Sequence, residues 1–249
     1  MEYKRSIKAL EQFMQNANFR ESISVEQSIK NLEEGLVELF YETGQHKGNG
    51  LLITEDGYFL TVSHLEEENV EKSPPAKYIR DYHGRIYKID KICQINKRED
   101  LALLKAEISK KDGPKKYRIY QTDQLKNLIS KEFPINLKIV KDGRIKNKYG
   151  YIFTKFGMDE KLSYTNQFGT DISVVRGESG GIAISVKGEL IGFISNGFQK
   201  EGQGDKYLNF KIKSYHSKVL SGLELVKKEI NNLKILSNNH KNYQGFSLQ

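Results

Sequence analysis

The fold is indicated first by the stretch Asp56-Gly57-Tyr58-Phe59-Leu60-Thr61-Val62-Ser63-His64. The pair Asp56-Gly57 favours a tight turn, because glycine adopts the backbone angles of such turns without a steric penalty. The apolar segment 58–62 is short and rich in aromatic and branched side chains, which favours a β-strand. The stretch therefore predicts a turn, a strand, and His64 at the end of that strand.

Segments of the same kind recur along most of the chain. Turn residues separate them and no long helical pattern interrupts them, which disfavours a parallel sheet with crossover helices. A single all-β unit of this size is common, so the length of 249 residues does not require two independent folds. The sequence predicts a mainly β sandwich or barrel, with strands at 36–41, 51–54, 58–62, 85–89, 101–105, 135–140, 149–156, 181–186, 189–195 and 207–212.

Both ends of the chain show helical periodicity instead. Residues 1–35 form a predicted helical extension, in which Ser24 followed by Gln27 indicates a capping box at the start of a second helix. Residues 214–249 form a predicted amphipathic helix and tail, with an apolar stripe made of Val219, Leu223, Val226, Ile230 and Leu233. We expect this stripe to pack on the β unit; self-association or a regulatory partner at the terminal helices is the alternative.

Charge is positive and unevenly distributed, with a formal net charge of +8. Residues 211–249 carry seven lysines and two glutamates, whereas residues 1–43 carry five basic and eight acidic side chains. A basic tail can attract nucleic acid, but few aromatic side chains lie between these lysines, so no platform for stacking bases is evident. The sequence therefore favours a solvated basic surface over a nucleic-acid partner.

Composition also bears on the compartment. Cys93 is the only cysteine, so an intrachain disulfide is impossible, which is typical of a reducing compartment. No segment approaches the roughly 18 apolar residues of a membrane span, and the first residues lack the apolar core of a secretory signal. We expect a cytoplasmic protein with no membrane partner; export by a route without a signal is the alternative.

A serine flanked by glycines is the sharpest chemical signal in the sequence. It occurs in Gly177-Glu178-Ser179-Gly180-Gly181, where a tight turn would expose the hydroxyl and direct backbone N–H groups at a developing oxyanion. The alternative is an ordinary turn between strands that has no chemical role. The nucleophile elbow of α/β-hydrolases needs its acid and histidine after the serine, and the 70 residues after Ser179 are too few for that sheet.

Two further residues complete a set that can activate a serine. A serine hydroxyl is a weak nucleophile without a base, and His64 at the end of a strand is the best placed of the five histidines. Asp100 precedes the apolar segment 101–104, where its carboxylate can fix the tautomer of an imidazole. Each residue alone is more often structural, but all three lie at the boundaries of apolar β segments, in the chain order His, Asp, Ser.

Together these stretches resemble the trypsin-like serine proteases, and most closely the HtrA-like peptidases. The resemblance includes the stretch 48–53 with 56–64, the stretch 100–105, Thr170-Asp171 with 177–181, and the hairpin 187–195. It covers residues 36–213, and no PDZ peptide-binding module is expected after them. The resemblance implies two six-stranded antiparallel β-barrels, with helical extensions at both ends and the active site in the cleft between the barrels.

The resemblance also implies roles for individual residues. His64, Asp100 and Ser179 would form a catalytic triad, and the N–H groups of Gly177 and Ser179 would form the oxyanion hole. Activation by a freed N-terminus is not expected, because no apolar segment that such a cleavage would free is evident. The primary specificity pocket would begin six residues before the nucleophile, and its expected residues are Ser173, Ser195, Asn196 and Gly197.

The expected function is that of a serine endopeptidase, which cleaves protein or peptide substrates through an acyl-enzyme. Ser173 carries no charge, so a small or medium uncharged side chain is the expected preference rather than lysine or arginine. No cofactor and no metal are expected, because no pair of histidine or cysteine residues has a ligand spacing. The alternative is a regulated or inactive protease-fold module that binds a partner.

Overall fold

The structure is a computed structural model that describes residues 2–18, 23–66, 74–108, 118–119, 133–152, 167–197 and 214–244. The described residues form thirteen β-strands, three α-helices and one short 3₁₀ helix, so the chain is mainly β. The predicted strand at 207–212, and the part of the predicted strand 149–156 beyond Ile152, lie outside the described residues.

Six strands form the first barrel: β1 (Leu36–Phe40), β2 (His46–Leu52), β3 (Tyr58–Thr61), β4 (Tyr78–Arg80), β5 (Ile86–Asn96) and β6 (Leu101–Ala106). Their order around the barrel is β1-β2-β3-β6-β5-β4, and antiparallel pairing of β4 with β1 closes it. In the β3–β6 pair, Thr61 lies opposite Ala102. The end of β3 and the start of β6 therefore meet at one edge of the barrel, which brings His64 and Asp100 to the same place.

Seven strands follow: β7 (Arg118–Ile119), β8 (Phe133–Lys141), β9 (Arg144–Ile152), β10 (Gln167–Thr170), β11 (Ile182–Ser185), β12 (Glu189–Gly197) and β13 (Ser214–Lys218). Six of them form the second barrel in the order β11-β8-β9-β10-β13-β12, closed by antiparallel pairing of β11 with β12. The short β7 adds to this barrel as a parallel neighbour of β12. The predicted architecture of two six-stranded antiparallel barrels is confirmed.

The second barrel extends beyond the segment that the sequence indicated. Residues Ser214–Lys218 form β13, which pairs with both β10 and β12, whereas the sequence assigned them to the C-terminal helical segment. This strand was not predicted because its sequence is polar although the strand is buried: Ser214, His216 and Ser217 are all fully buried. Such a strand lacks the apolar pattern from which strands are predicted.

The helices are α1 (Glu2–Asn18), α2 (Val25–Gly35) and α3 (Val219–Gln244). As predicted, Ser24 caps α2 by accepting from the Gln27 N–H at 3.1 Å, but the side chain of Gln27 donates to Asn31 instead of completing the box. The apolar stripe of α3 is buried from Val219 to Leu233. This stripe therefore packs within the chain, and Lys234 of α3 pairs with Glu11 of α1 at 2.7 Å.

Helix α2 connects the two barrels. It leads directly into β1 of the first barrel, while its Ser28 hydroxyl donates to the carbonyl oxygen of Gly188 at 2.6 Å, before β12. Lys138 of β8 pairs with Glu33 of the same helix at 2.6 Å. One apolar cluster extends from the first barrel through all three helices to part of the second barrel, and a smaller cluster fills the second barrel.

Candidate active site

His64 lies on a 3₁₀ helix, Ser63–Leu65, directly after β3. Its Nδ1 atom is 2.9 Å from Oδ2 and 3.1 Å from Oδ1 of Asp100. The side chain of His64 is 36% exposed and that of Asp100 is 8% exposed. A buried carboxylate thus holds the inner nitrogen of an imidazole whose ring remains partly exposed.

Asp100 precedes β6 and has a left-handed backbone, with a φ angle of 48°. Four groups donate to its carboxylate: the Ser63 hydroxyl at 3.0 Å, the backbone N–H of His64 at 3.0 Å, Nδ1 of His64, and the Ser195 hydroxyl. Burial alone would raise the pKa of Asp100, but these hydrogen bonds and the nearby imidazole outweigh it, so its pKa is lowered. The ionised carboxylate accepts only, so Nδ1 carries the proton and Nε2 is left as an acceptor.

Ser179 lies in the loop between β10 and β11, which we call the nucleophile loop (residues 171–181) after the role that the sequence motif predicts for Ser179. Its hydroxyl donates to the carbonyl oxygen of Ser195 at 3.4 Å. In the part of the chain that the structure describes, it makes no hydrogen bond to His64. Ser195 therefore contacts both sides of the site, with its hydroxyl on Asp100 and its carbonyl oxygen facing Ser179.

Two of the five backbone donors in residues 177–181 have no acceptor within the described residues. Three neighbouring N–H groups are satisfied: that of Glu178 by Val175, that of Gly180 by Ile194, and that of Gly181 by Glu178. The N–H groups of Gly177 and Ser179 are the two left over. Gly177 has a φ angle of 90°, which glycine adopts readily. The loop therefore presents one free N–H donor on each side of Glu178, and such a pair is suited to binding an anionic oxygen.

Asn49 of β2 fastens the nucleophile loop to the first barrel. Its side chain donates to the carbonyl oxygen of Gly177 at 2.9 Å and accepts from the N–H of Val140 at 2.9 Å. Its backbone N–H donates to the carbonyl oxygen of Ser179 at 2.7 Å, and its own carbonyl oxygen accepts from Thr61. Asn49 is fully buried. It thus links β2, β3, β8 and the loop at one point.

A partly buried ion pair lies beneath the same loop. Lys148 of β9 contacts Glu178 with 2.6 Å between Nζ and Oε2, and it also donates to the carbonyl oxygen of Ser173 at 2.9 Å. The Oε2 atom of Glu178 accepts from the N–H of Val175 at 2.9 Å. One oxygen of the Glu178 carboxylate therefore binds both Lys148 and the N–H of Val175.

The predicted pocket residues fall into two groups. Ser173 is exposed in the nucleophile loop, and its carbonyl oxygen faces Lys148. Ser195 is buried in β12 with its hydroxyl on Asp100, and the next two residues pair with β13, Asn196 with Tyr215 and Gly197 with Ser214. The structure thus brings Ser195 into the His64–Asp100 cluster, while Ser173 lies at the other end of the loop.

Sequence reasoning missed Asn49 and Lys148 as parts of the site. The stretch Gly48-Asn49-Gly50 carried one available signal, because Asn49 leads into the apolar segment 51–53 and a polar side chain that is buried there needs a partner. A Cβ atom on Gly48 would be 2.9 Å from the carbonyl oxygen of Ser179, so the glycine permits a close approach of the two chains. Lys148 carried no such signal, since lysines recur along β9 at positions 146 and 148.

Within the described ranges, no group of three histidine, cysteine, aspartate or glutamate side chains is arranged to hold a metal ion. Among the described helices, none is long and apolar enough to cross a membrane.

The two closed barrels and the loop geometry between them define the fold of trypsin-type serine proteases. Among solved structures, the chain is similar to the crystal structure of a serine endoprotease from Yersinia pestis. The TM-score is 0.58 and the identity 18%, and the match covers 84% of this chain and 68% of that one. No protein-family model and no curated protein matches the sequence. The resemblance stated from the sequence motifs is therefore confirmed at the level of the fold.

Proposed function

We propose that this chain is a serine endopeptidase in which Ser179 is the nucleophile, His64 the general base and Asp100 the residue that orients His64. The observation that carries the proposal is the double role of Ser195. It donates to Asp100, which holds Nδ1 of His64 at 2.9 Å, and it accepts from the Ser179 hydroxyl at 3.4 Å. Nucleophile, base and acid are therefore gathered around a single buried residue.

In the proposed reaction, Oγ of Ser179 bonds to the scissile carbonyl carbon while its proton moves to Nε2 of His64. The carbonyl oxygen becomes an oxyanion that the N–H groups of Gly177 and Ser179 bind. When the C–N bond breaks, Nε2 returns the proton to the leaving amine, and the acyl group stays on Ser179. A water molecule then loses a proton to Nε2 of His64 and attacks the acyl carbon. The bond from that carbon to Oγ of Ser179 breaks as Nε2 returns the proton to Oγ, which releases the acid and restores the serine.

The resting hydrogen bond of Ser179 supports a site that rearranges when it binds a substrate. Its hydroxyl must leave the carbonyl oxygen of Ser195 and turn towards Nε2 of His64 before transfer of the proton. Bonds between nucleophile and base are often long or absent without substrate and tighten in the reactive complex. The same observation favours the second candidate, a protease-fold module whose site stays closed until a partner binds.

The test is labelling of the purified chain with a fluorophosphonate, which phosphonylates activated serines. We expect the parent and a Ser237→Ala control on α3 to label equally, and Ser179→Ala to lose the label. Cleavage of an unfolded protein such as casein by the parent, but not by Ser179→Ala, would extend the result from an activated serine to an endopeptidase. Without labelling in any buffer, the closed binding module becomes the better description.

We propose protein or peptide substrates with a small or medium uncharged residue before the cleaved bond. Ser173, the expected base of the pocket, is uncharged, and its carbonyl oxygen is held by Lys148 at 2.9 Å. Profiling with a peptide library tests this preference. A strong preference for lysine or arginine would contradict it.

We also propose that the enzyme works in a reducing compartment such as the cytoplasm. Cys93 is the single cysteine, so no intrachain disulfide stabilises the fold and a reducing environment removes no bond from it. We expect labelling of Ser179 to be unchanged by millimolar dithiothreitol. A loss of labelling under reducing conditions would contradict this assignment.

A further inference from the structure

The ion pair beneath the nucleophile loop joins two distant points of that loop. One ammonium group, Nζ of Lys148, lies 2.6 Å from the carboxylate of Glu178 and 2.9 Å from the carbonyl oxygen of Ser173. The same carboxylate oxygen accepts from the N–H of Val175 at 2.9 Å. The segment from residue 173 to residue 178 is therefore closed around a single cation.

The cation is carried by a rigid strand. β9 pairs with β8 through nine successive residue pairs, among them Leu137 with Lys148. The start of the nucleophile loop is fastened to the same strand, because the N–H of Tyr151 donates to the carboxylate of Asp171 at 2.7 Å. β9 thus serves as a platform on which the loop is held at both of its ends.

The position of Glu178 couples this ion pair to the oxyanion donors. Glu178 lies between Gly177 and Ser179, whose N–H groups have no acceptor within the described residues. Its side chain is only 8% exposed, and a buried carboxylate that loses its cation must turn towards water or take up a proton. A turn towards water would move the peptide groups on both sides of Glu178.

We infer that Lys148 is a positioning residue that keeps the N–H groups of Gly177 and Ser179 directed at one point. In this inference the loop is ordered by an ion pair between two residues of the folded chain. The amine of a freed N-terminus is then not required to order it. This inference deepens the proposed function and rests on it.

Four variants test the inference in the full chain: Lys148→Met, Lys148→Arg, Glu178→Gln with Lys148→Met, and Lys146→Met as the matched control. Lys146 lies two residues earlier on the same face of β9, is exposed, and makes no ion pair within the described residues. The first readout is the second-order rate constant for labelling by a fluorophosphonate. The second is amide hydrogen exchange of a peptide that covers residues 173–181, which does not depend on any reaction of Ser179.

We expect Lys148→Met to label about 10²-fold more slowly than the parent, the size of effect seen when one oxyanion donor is lost. Lys148→Arg should recover most of the rate, because its guanidinium can also pair with a carboxylate. The double variant should label faster than Lys148→Met, since it no longer contains an unpaired buried charge. Exchange of the loop peptide should accelerate in Lys148→Met and stay unchanged in Lys146→Met.

Equal labelling and equal loop exchange in Lys148→Met and Lys146→Met would overturn the inference. So would a slow Lys148→Met variant whose loop exchange matches that of the parent, because the loss would then lie outside the loop. If the parent itself does not label, the proposed function fails, and the loop exchange still decides whether Lys148 orders residues 173–181.

Discussion

The side-chain amide of Asn49 donates to the carbonyl oxygen of Gly177 at 2.9 Å, and this hydrogen bond joins a strand of the first barrel to the nucleophile loop of the second. The same side chain accepts from the N–H of Val140 in β8. Ser179 therefore owes its position to the first barrel as well as to its own.

Replacing Asn49 with alanine should lower both stability and reactivity. The N–H of Val140 and the carbonyl oxygen of Gly177 would lose their partner, which for buried groups costs roughly 1–3 kcal/mol of unfolding free energy. Labelling of Ser179 should slow by about 10² as the loop loosens. Urea denaturation and labelling kinetics measure the two effects. Asn231→Ala, on the exposed side of α3, is the control, and an Asn49→Ala variant that matches it in both would refute the bridging role.

Gly180 and Gly44 provide a matched pair for testing the space around the loop. Both have positive φ angles, 80° and 79°. A Cβ atom on Gly180 would overlap the carbonyl oxygen of Asn49, whereas one on Gly44 would meet no atom within 4 Å. Gly44→Ala should therefore lose only about 1–2 kcal/mol of unfolding free energy, the penalty for a left-handed alanine. Gly180→Ala should lose more than about 4 kcal/mol or fail to fold. Equal losses in urea denaturation would show that the cost of either substitution comes from the backbone conformation alone and not from the contact with Asn49.

Asp100→Asn should remove reactivity and leave the fold intact. Asparagine tolerates the left-handed backbone of this position, so the stability loss should be small compared with that of Asp100→Ala. Its amide can no longer hold the proton on Nδ1 of His64, and labelling of Ser179 should fall by as much as about 10⁴. Circular dichroism and labelling kinetics check both statements. Full labelling by Asp100→Asn would exclude an orienting role for the carboxylate.

The buried His216 should make the protein sensitive to acid. Burial lowers its pKa from 6.5 to about 3. Between these two pKa values the unfolded state binds a proton at His216 and the folded state does not. The contribution of neutral His216 to the unfolding free energy is therefore complete above pH 6.5 and is lost as the pH falls towards 3. Between pH 7 and pH 5 the parent should lose about 2 kcal/mol of unfolding free energy through this residue.

Urea denaturation of the parent and of His216→Gln at both pH values measures this loss. The glutamine variant should lose about 2 kcal/mol less than the parent over the interval, whatever its stability at pH 7. His83→Gln, at an exposed turn, should behave as the parent does. The same pH dependence in His216→Gln and the parent would assign the acid sensitivity to other groups.

Much of the fold could be predicted from local sequence. The strand before His64 and the strand after Asp100 have short apolar patterns, and β3 and β6 form where those patterns lie. β5 was predicted only at 85–89, yet it continues to Asn96, because pairing with β6 extends it to the partner of Leu101. Pairing between distant segments is a tertiary effect that local propensity does not contain.

The site was predictable only in part. The residues of the expected triad lie in recognisable motifs. Lys148 is placed beside the loop by the register in which β9 pairs with β8, and this register cannot be predicted from the local sequence. β13 was missed for a related reason. The hydroxyl of its buried Ser214 and Nε2 of its buried His216 bond to each other and to Thr170, and such a polar cluster has no pattern in one segment.

The left-handed backbone of Asp100 also bears on how the proposed activity would be lost during evolution. Among residues other than glycine, aspartate and asparagine tolerate that conformation best. Their codons differ by one base, so the mutation that would silence the proton transfer is also the one that the fold accepts most easily. Descendants that keep the barrels only as a binding scaffold should therefore carry asparagine at position 100. A survey of genomes for inactive homologues can begin at this codon.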